Sequence, residues 1–314
     1  MTASVSERAP AGLPPGFAVG IAAGLGAGAL WGTTFIAPLL VPDVAHTDLT
    51  VGRYLASALF SLGFLLFTAL RGRLRLPTAR QAVDALWLSV LGYTGYYLLL
   101  VWAIEAAGAA LPALIIGTIP LWLMVLGKPQ HLRWATLLPG LLLTAAGLGL
   151  MVVQSHDGTS AGGPRLWAGI GWAVLAMAAW TAFGLLNARW MRRYPDVDST
   201  LWANWLGVAA GLGSLALWVV DGSPLDVLVN RPDFGLYVVV CATTGIGAAW
   251  VASVLWNVAS RRLSTSLAGQ LIVSETVFAL IYAFAWHGDW PAPLQLLACV
   301  LFVAGILASI KAHQ

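Results

Sequence analysis

Charge is what this chain has least of. Asp, Glu, Lys and Arg make up 9% of its 314 residues, against about 25% in an ordinary soluble domain, too few to cover a water-facing surface. Its two cysteines, Cys241 and Cys299, sit inside apolar runs with neither a CxxC spacing nor a histidine partner. That excludes a disulfide framework and a cysteine metal site. The five histidines, His46, His131, His156, His287 and His313, fall in loops or near the ends of runs. A Walker loop, a metal-spaced His/Cys cluster and a GxGxxG after a strand are all missing, so no cofactor and no metal are expected. The net charge of +3 does not point to nucleic acid, because the basic residues stand in short clusters beside apolar runs rather than on one face. The opening "MTASVSERAPAGLPPG" lacks the charged start of a cleavable signal peptide and reads as a disordered cytoplasmic tail, residues 1–16.

What the chain has instead is length of hydrophobic run. Hydrophobic residues reach 59% and the mean hydropathy is +0.83. A hydrocarbon core of roughly 30 Å takes about 20 helical residues. Runs of that size lie near 17–40, 50–70, 83–104, 109–127, 134–153, 167–189, 200–220, 235–257, 266–286 and 293–311. They are continuous and rich in Leu, Ala and Gly rather than alternating, which selects helices over a barrel. The expectation is an all-α membrane protein of ten transmembrane helices, multi-pass in a bacterial inner membrane, with the lipid bilayer as its first partner. Thirteen of the sixteen Lys and Arg then fall on one side: Arg8, the four in "RGRLRLPTAR", Lys128, Arg133, the three in "RWMRR", Arg261, Arg262 and Lys311. The positive-inside rule puts that side, and both termini, in the cytoplasm.

The two halves resemble each other. A shift of 154 aligns Trp102 with Trp256 and Tyr96 with Trp250, and a shift of 149 superposes "ALWGTTF" on "AAWTAFG". Five spans per half, an odd number, make the second half enter from the opposite side, so residues 17–153 and 167–311 are expected to be two inverted five-helix repeats. Such repeats are a common basis for alternating access. The stretches "GALWGTTFIAP", "VGRYLASALFSL" and "VSETVFALIYAFAWHGD" resemble the first-, second- and ninth-span patterns of the drug/metabolite transporter superfamily, in its ten-helix branch of two EamA-type repeats. Thr276 replaces the usual Pro after the Glu, and "HGD" replaces the usual Gly-Glu. The resemblance implies a secondary transporter, not an enzyme, similar to bacterial exporters of amino acids, aromatic ones included.

Glu275 lies nine residues beyond Ser266, about 14 Å deep at a helical rise of about 1.5 Å. A carboxylate at that depth cannot face lipid. It binds a substrate ammonium, carries protons, or packs helices through hydrogen bonds. Arg53 opens the second span at the mouth, where it can receive a carboxylate or anchor the interface by pairing with Asp43, Asp48 or Glu105. Trp31, Trp180 and Trp250, with Tyr93, Tyr96 and Tyr97, lie deep enough to wall a cavity, whereas Trp134, Trp167, Trp190 and Trp290 lie near span ends, where indole favours the headgroups. Thr34, Asn187, Asn257 and Gln270 either bridge helices or face the cavity. Gly20, Gly24, Gly28 and Gly32 form successive GxxxG steps for close helix packing. Pro38 and Pro120 are expected to interrupt spans one and four as kinks or hinges.

With that resemblance, the expectation is an exporter of small metabolites, with amino acids as the substrate class the resemblance implies, working by alternating access around a central cavity, with protons as a candidate partner. The alternatives are a multidrug or other metabolite exporter of the same fold, an intramembrane enzyme, or a channel. An enzyme needs a nucleophile and base at matched depth, and a channel needs polar or charged rings. Neither pattern is present.

Overall fold

The computed structural model describes residues 16–107, 112, 115–154, 164–288, 290 and 292–314. The expected tail with Arg8, the start of the fourth span, the linker with His156 and Asp157, and Asp289 lie outside these. The ten expected spans correspond to α1 Phe17–Gly32, α2 His46–Leu70, α3 Ala79–Ala107, α4 Ile119–Leu126, α5 Trp134–Gln154, α6 Pro164–Arg193, α7 Ser199–Asp221, α8 Phe234–Arg262, α9 Thr265–His287 and α10 Pro293–Ala312. Eight are long and apolar enough to cross a membrane, and α1 is a shorter apolar helix. The protein is an all-helical membrane protein.

Helix ends follow local chemistry that the apolar runs do not report. Most helices outlast their run because charged and capping residues beyond it can hold a turn. Thr78 and Asp198 cap α3 and α7 by accepting from the backbone N–H of Gln81 and Leu201, and Ser264 caps α9 through Leu267.

Two expected spans are broken. The first was expected as one helix over 17–40, but α1 stops at Gly32 and a 3-10 turn, Thr33–Phe35, leads into a short helix, Ala37–Leu40. Thr33 and Thr34 donate their hydroxyls to the carbonyls of Leu30 and Trp31, at 2.6 and 2.7 Å, and so compete for the acceptors that a continuing helix shares. In the fourth, a turn at 117–118 precedes α4. Pro38 and Pro120 each stand in the first two positions of the helix after the break. A proline there gives up an N–H that has no helical partner anyway, so neither kinks a ladder from within. The proline inside a helix is Pro139 of α5.

Helix pairing follows a pattern. α5 packs on α10, α2 on α7, α4 on α9, α3 on α6, and α8 on α1. Exchanging every helix with the one five places away maps this set onto itself. The α1 glycine face is what seats α9. A Cβ on Gly28 would meet Ser274 Oγ at 2.1 Å, and one on Gly32 would meet the backbone N of Ala279 at 3.0 Å. The α9 backbone therefore lies directly on α1 around Glu275, a closeness only glycine permits.

The clusters of Lys and Arg and the connections between α2 and α3, α6 and α7, and α8 and α9 share one end of the bundle. There Arg75 pairs with Asp196, and Arg261 donates to the Val197 carbonyl. At the opposite end the start of α2 is tied to the segment between α7 and α8. Thr47 donates to Asp221, the Ser223 N–H donates to Asp48 at 2.9 Å, and Arg231 donates to the Asp43 carbonyl at 2.9 Å.

Candidate functional site

Glu275 sits near the middle of α9, enclosed by protein yet retaining part of its accessible surface. The cation whose field reaches it is Arg53, and Tyr96 lies within the field of the carboxylate. Arg53 was expected at the mouth. Because α2 begins at His46 rather than near residue 50, it is seven residues inside, about 10 Å down the helix. The early start is held by Asp48, which lies in the first turn, where the helix dipole favours an acid. Asp48 is only 2% exposed.

Arg53 also leaves its expected anchors. Asp48 accepts from Ser223, Arg231 takes the Asp43 carbonyl, and Arg165 reaches the Glu105 carbonyl at 3.4 Å. Arg53 turns instead to Tyr54. One guanidinium nitrogen donates to its hydroxyl at 3.1 Å, and Cζ lies 4.9 Å from its ring centre. Arg53 Nε is buried without a partner. Among the described residues the ion pairs within 4.0 Å are Arg75–Asp196 and Arg231–Asp233. Arg53 and Glu275 thus lie within reach of each other's charge without forming an ion pair.

Aromatic rings continue from this cluster. Tyr54 meets Tyr93 edge-on at 5.6 Å, Tyr93 meets Phe183 at 5.5 Å, and Phe183 meets Trp180 at 6.0 Å. Trp180 closes a triangle with Trp31 and Trp256, with centroids 5.6 to 6.4 Å apart. Edge-to-face contact at such distances is favourable beyond area burial. The Tyr93 hydroxyl lies 3.0 Å from Ser253 Oγ on α8, and Thr50 stands at the Tyr97 hydroxyl. Of the sequence-derived candidates, Trp31, Trp180 and Tyr93 join Arg53 in one chain of contacts through Tyr54, Phe183 and Trp256, and Tyr96, Tyr97 and Glu275 lie within reach of the Arg53 charge. Sequence reasoning missed Tyr54, Phe183, Ser253 and Trp256. Helical spacing was the available signal for Phe183, which lies three residues from Trp180.

Other candidates are elsewhere. Trp250 donates to Asn204 Oδ1 at 2.9 Å and lies between Phe60 and Phe64, 4.8 and 5.9 Å away, bracing α8 on α2 and α7. Asn257 is buried and accepts from Asn187 at 3.1 Å, and Asn187 accepts from Trp202 at 2.7 Å. Gln270 is buried and donates to Thr144 at 2.8 Å. Thr34 bonds its own backbone. Trp190, expected at the headgroups, is 6% exposed, stacks on Trp202 at 3.5 Å and donates to Asp84 at 2.9 Å. Trp134, Trp167 and Trp290 are exposed. A cavity of about 500 Å³ lies apart from the charged cluster, between the end of α1, α8 and the end of α9, lined by residues such as Leu30, Thr33, Val240, Thr244 and Tyr282. Among the described residues no charged side chain lines it.

Residues 167–310 match the model of the EamA-like transporter family. The chain is 31% identical over 299 residues, 90% of its length and 92% of the other, to inner membrane protein YtfF of Escherichia coli (strain K12). It is 24% identical over 237 residues, 74% of each chain, to a probable terminal-alkyne amino-acid exporter of Streptantibioticus cattleyicolor. A solved crystal structure shares the fold, with a TM-score of 0.73 over 95% of this chain and 99% of that one at 19% identity.

Proposed function

Since the chain belongs to the EamA-like transporter family, we propose that it is a secondary exporter of amino acids, aromatic ones included, working by alternating access with both termini in the cytoplasm. The observation that carries the substrate class is the opposed pair, Arg53 on α2 and Glu275 on α9, facing one tyrosine-lined interior without an ion pair between them. A zwitterion brings one carboxylate and one ammonium. The guanidinium fork suits the carboxylate by two parallel hydrogen bonds, Glu275 suits the ammonium, and the rings of Trp31, Tyr93, Tyr96, Tyr97 and Trp180 suit an apolar side chain. The similarity to an amino-acid exporter supports the same reading. The exchange symmetry of the helix pairs supports two related halves around the site. Thr34, Trp250, Asn257 and Gln270 are assigned to the scaffold of that site, and the breaks before Pro38 and Pro120 to its flexible joints.

Purified protein in proteoliposomes, given a panel of amino acids with and without a pH gradient, tests this. Uptake of zwitterions but not of their amides or amines is expected, with Arg53→Gln losing the discrimination against amines. Glu275→Gln separates two roles for that carboxylate. Loss of the pH-gradient dependence with binding retained assigns it to protons, and weaker binding at every pH assigns it to the ammonium. Equal transport of zwitterions and plain cations by the parent would overturn the proposal.

A further inference from the structure

α3 and α8 each carry one stretch of π-helix. It spans Val90–Thr94 in α3, where the Gly95 N–H donates to the Val90 carbonyl, and Gly245–Val251 in α8, where the Ala252 N–H donates to the Gly247 carbonyl. π-turns are rare and concentrate at functional sites. These two begin within one residue of the 154-residue shift that superposes the halves, so the same irregularity stands at the same place in both. Each is seated on the interior just described. A Cβ on Gly92 would meet the Phe183 ring at 2.4 Å, and one on Gly245 would meet the Arg53 carbonyl at 2.4 Å. Tyr93, inside the first π stretch, reaches Ser253, two residues past the second, at 3.0 Å.

A π-turn holds about one more residue than an α-turn, so its relaxation to α rotates the rest of the helix by roughly 100°. In α3 the part beyond the π stretch carries Tyr96 and Tyr97. In α8 it carries Ser253 and Trp256. We infer that the two π stretches are paired hinges of the transport cycle, one in each half, with the Tyr93–Ser253 hydrogen bond coupling them. Relaxation of one at a time turns its rings away from the Arg53–Glu275 interior and opens that interior to one face. The inference rests on the alternating-access reading.

The test needs no substrate. In a chain with Cys241 and Cys299 replaced by alanine, Thr50→Cys is the reporter, labelled with a membrane-impermeant maleimide from either face of oriented vesicles. The parent is expected to label from both faces. Gly95→Ala sets a Cβ 2.6 Å from the Val90 carbonyl that accepts the π bond, so it disfavours the π form without changing length. It is expected to lower labelling from one face at least tenfold and to leave the other unchanged. Deleting Leu91 removes the extra residue and should do the same. Hydrogen exchange on the parent gives a readout independent of any variant's folding: amides 90–95 and 245–252 should exchange faster than the turns on either side. Two-sided labelling in both variants, or uniform protection across both helices, would overturn the hinges while leaving alternating access standing. One-sided labelling of the parent would remove both.

Discussion

At the scale of single residues, the bundle treats its polar groups in two ways. Some are fully matched, and these hold helices together. Trp202, Asn187 and Asn257 hand hydrogen bonds from α7 to α6 to α8. Asn257→Ala leaves the buried Asn187 amide unsatisfied and is expected to cost about 1–3 kcal/mol. Thermal unfolding in detergent should show that loss with substrate preference unchanged, and a changed preference at parental stability would place Asn257 in the site instead. Others are left open, such as Arg53 Nε, which has no partner. A third kind is the exposed latch. Arg75 beside Asp196 holds that carboxyl below its usual range, first by hydrogen bonding and then by its charge. A lowered folded-state pKa means that the pair's contribution is present at neutral pH, persists below the usual carboxylate range, and is lost as pH falls through the lowered value. Asp196→Asn should therefore reduce Tm slightly at pH 7 and have no effect once the parent's Asp196 is protonated. An unchanged gap between variant and parent across the whole titration would show that the pair contributes through shape, not charge.

At the scale of elements, what matters is how closely α9 lies on α1. The GxxxG spacing was legible in the sequence, because small residues every fourth position have one physical use in a bilayer. Which helix it receives was not legible, since that depends on chain path. Gly28→Ala puts a methyl group on Ser274 Oγ, and overpacking of this kind typically costs about 1–3 kcal/mol. Reduced thermal stability is the expected result, with recovery in the double variant Gly28→Ala/Ser274→Gly. Failure of the second change to restore stability would mean that the strain lies elsewhere along α1. The breaks in the first and fourth spans were hidden for the opposite reason. Hydropathy averages over a window, and a Thr-Thr pair that turns its hydroxyls onto its own backbone alters the path without altering the average.

At the scale of the molecule, the basic residues of the connections gather at one end and the tied segments 43–48 and 221–233 at the other. Single cysteines at Arg75 and at Gln314 should be labelled by an impermeant reagent only in inverted vesicles. Labelling of both in intact cells would reverse the orientation and with it the direction of export.

The membrane class, the apolar helices and the family were all present in the order of residues, because they depend on hydropathy, spacing and local motif. The partners of each deep side chain were not. Tyr96 and Trp250 align under the 154-residue shift, yet Tyr96 lies within the field of Glu275 while Trp250 is used up between Phe60, Phe64 and Asn204. Arg53 stands seven residues into α2 because the helix begins several residues earlier than its apolar run. Depth can be counted along a helix, but the direction in which a side chain points depends on its rotation against helices far away in the chain, and only their packing sets that rotation.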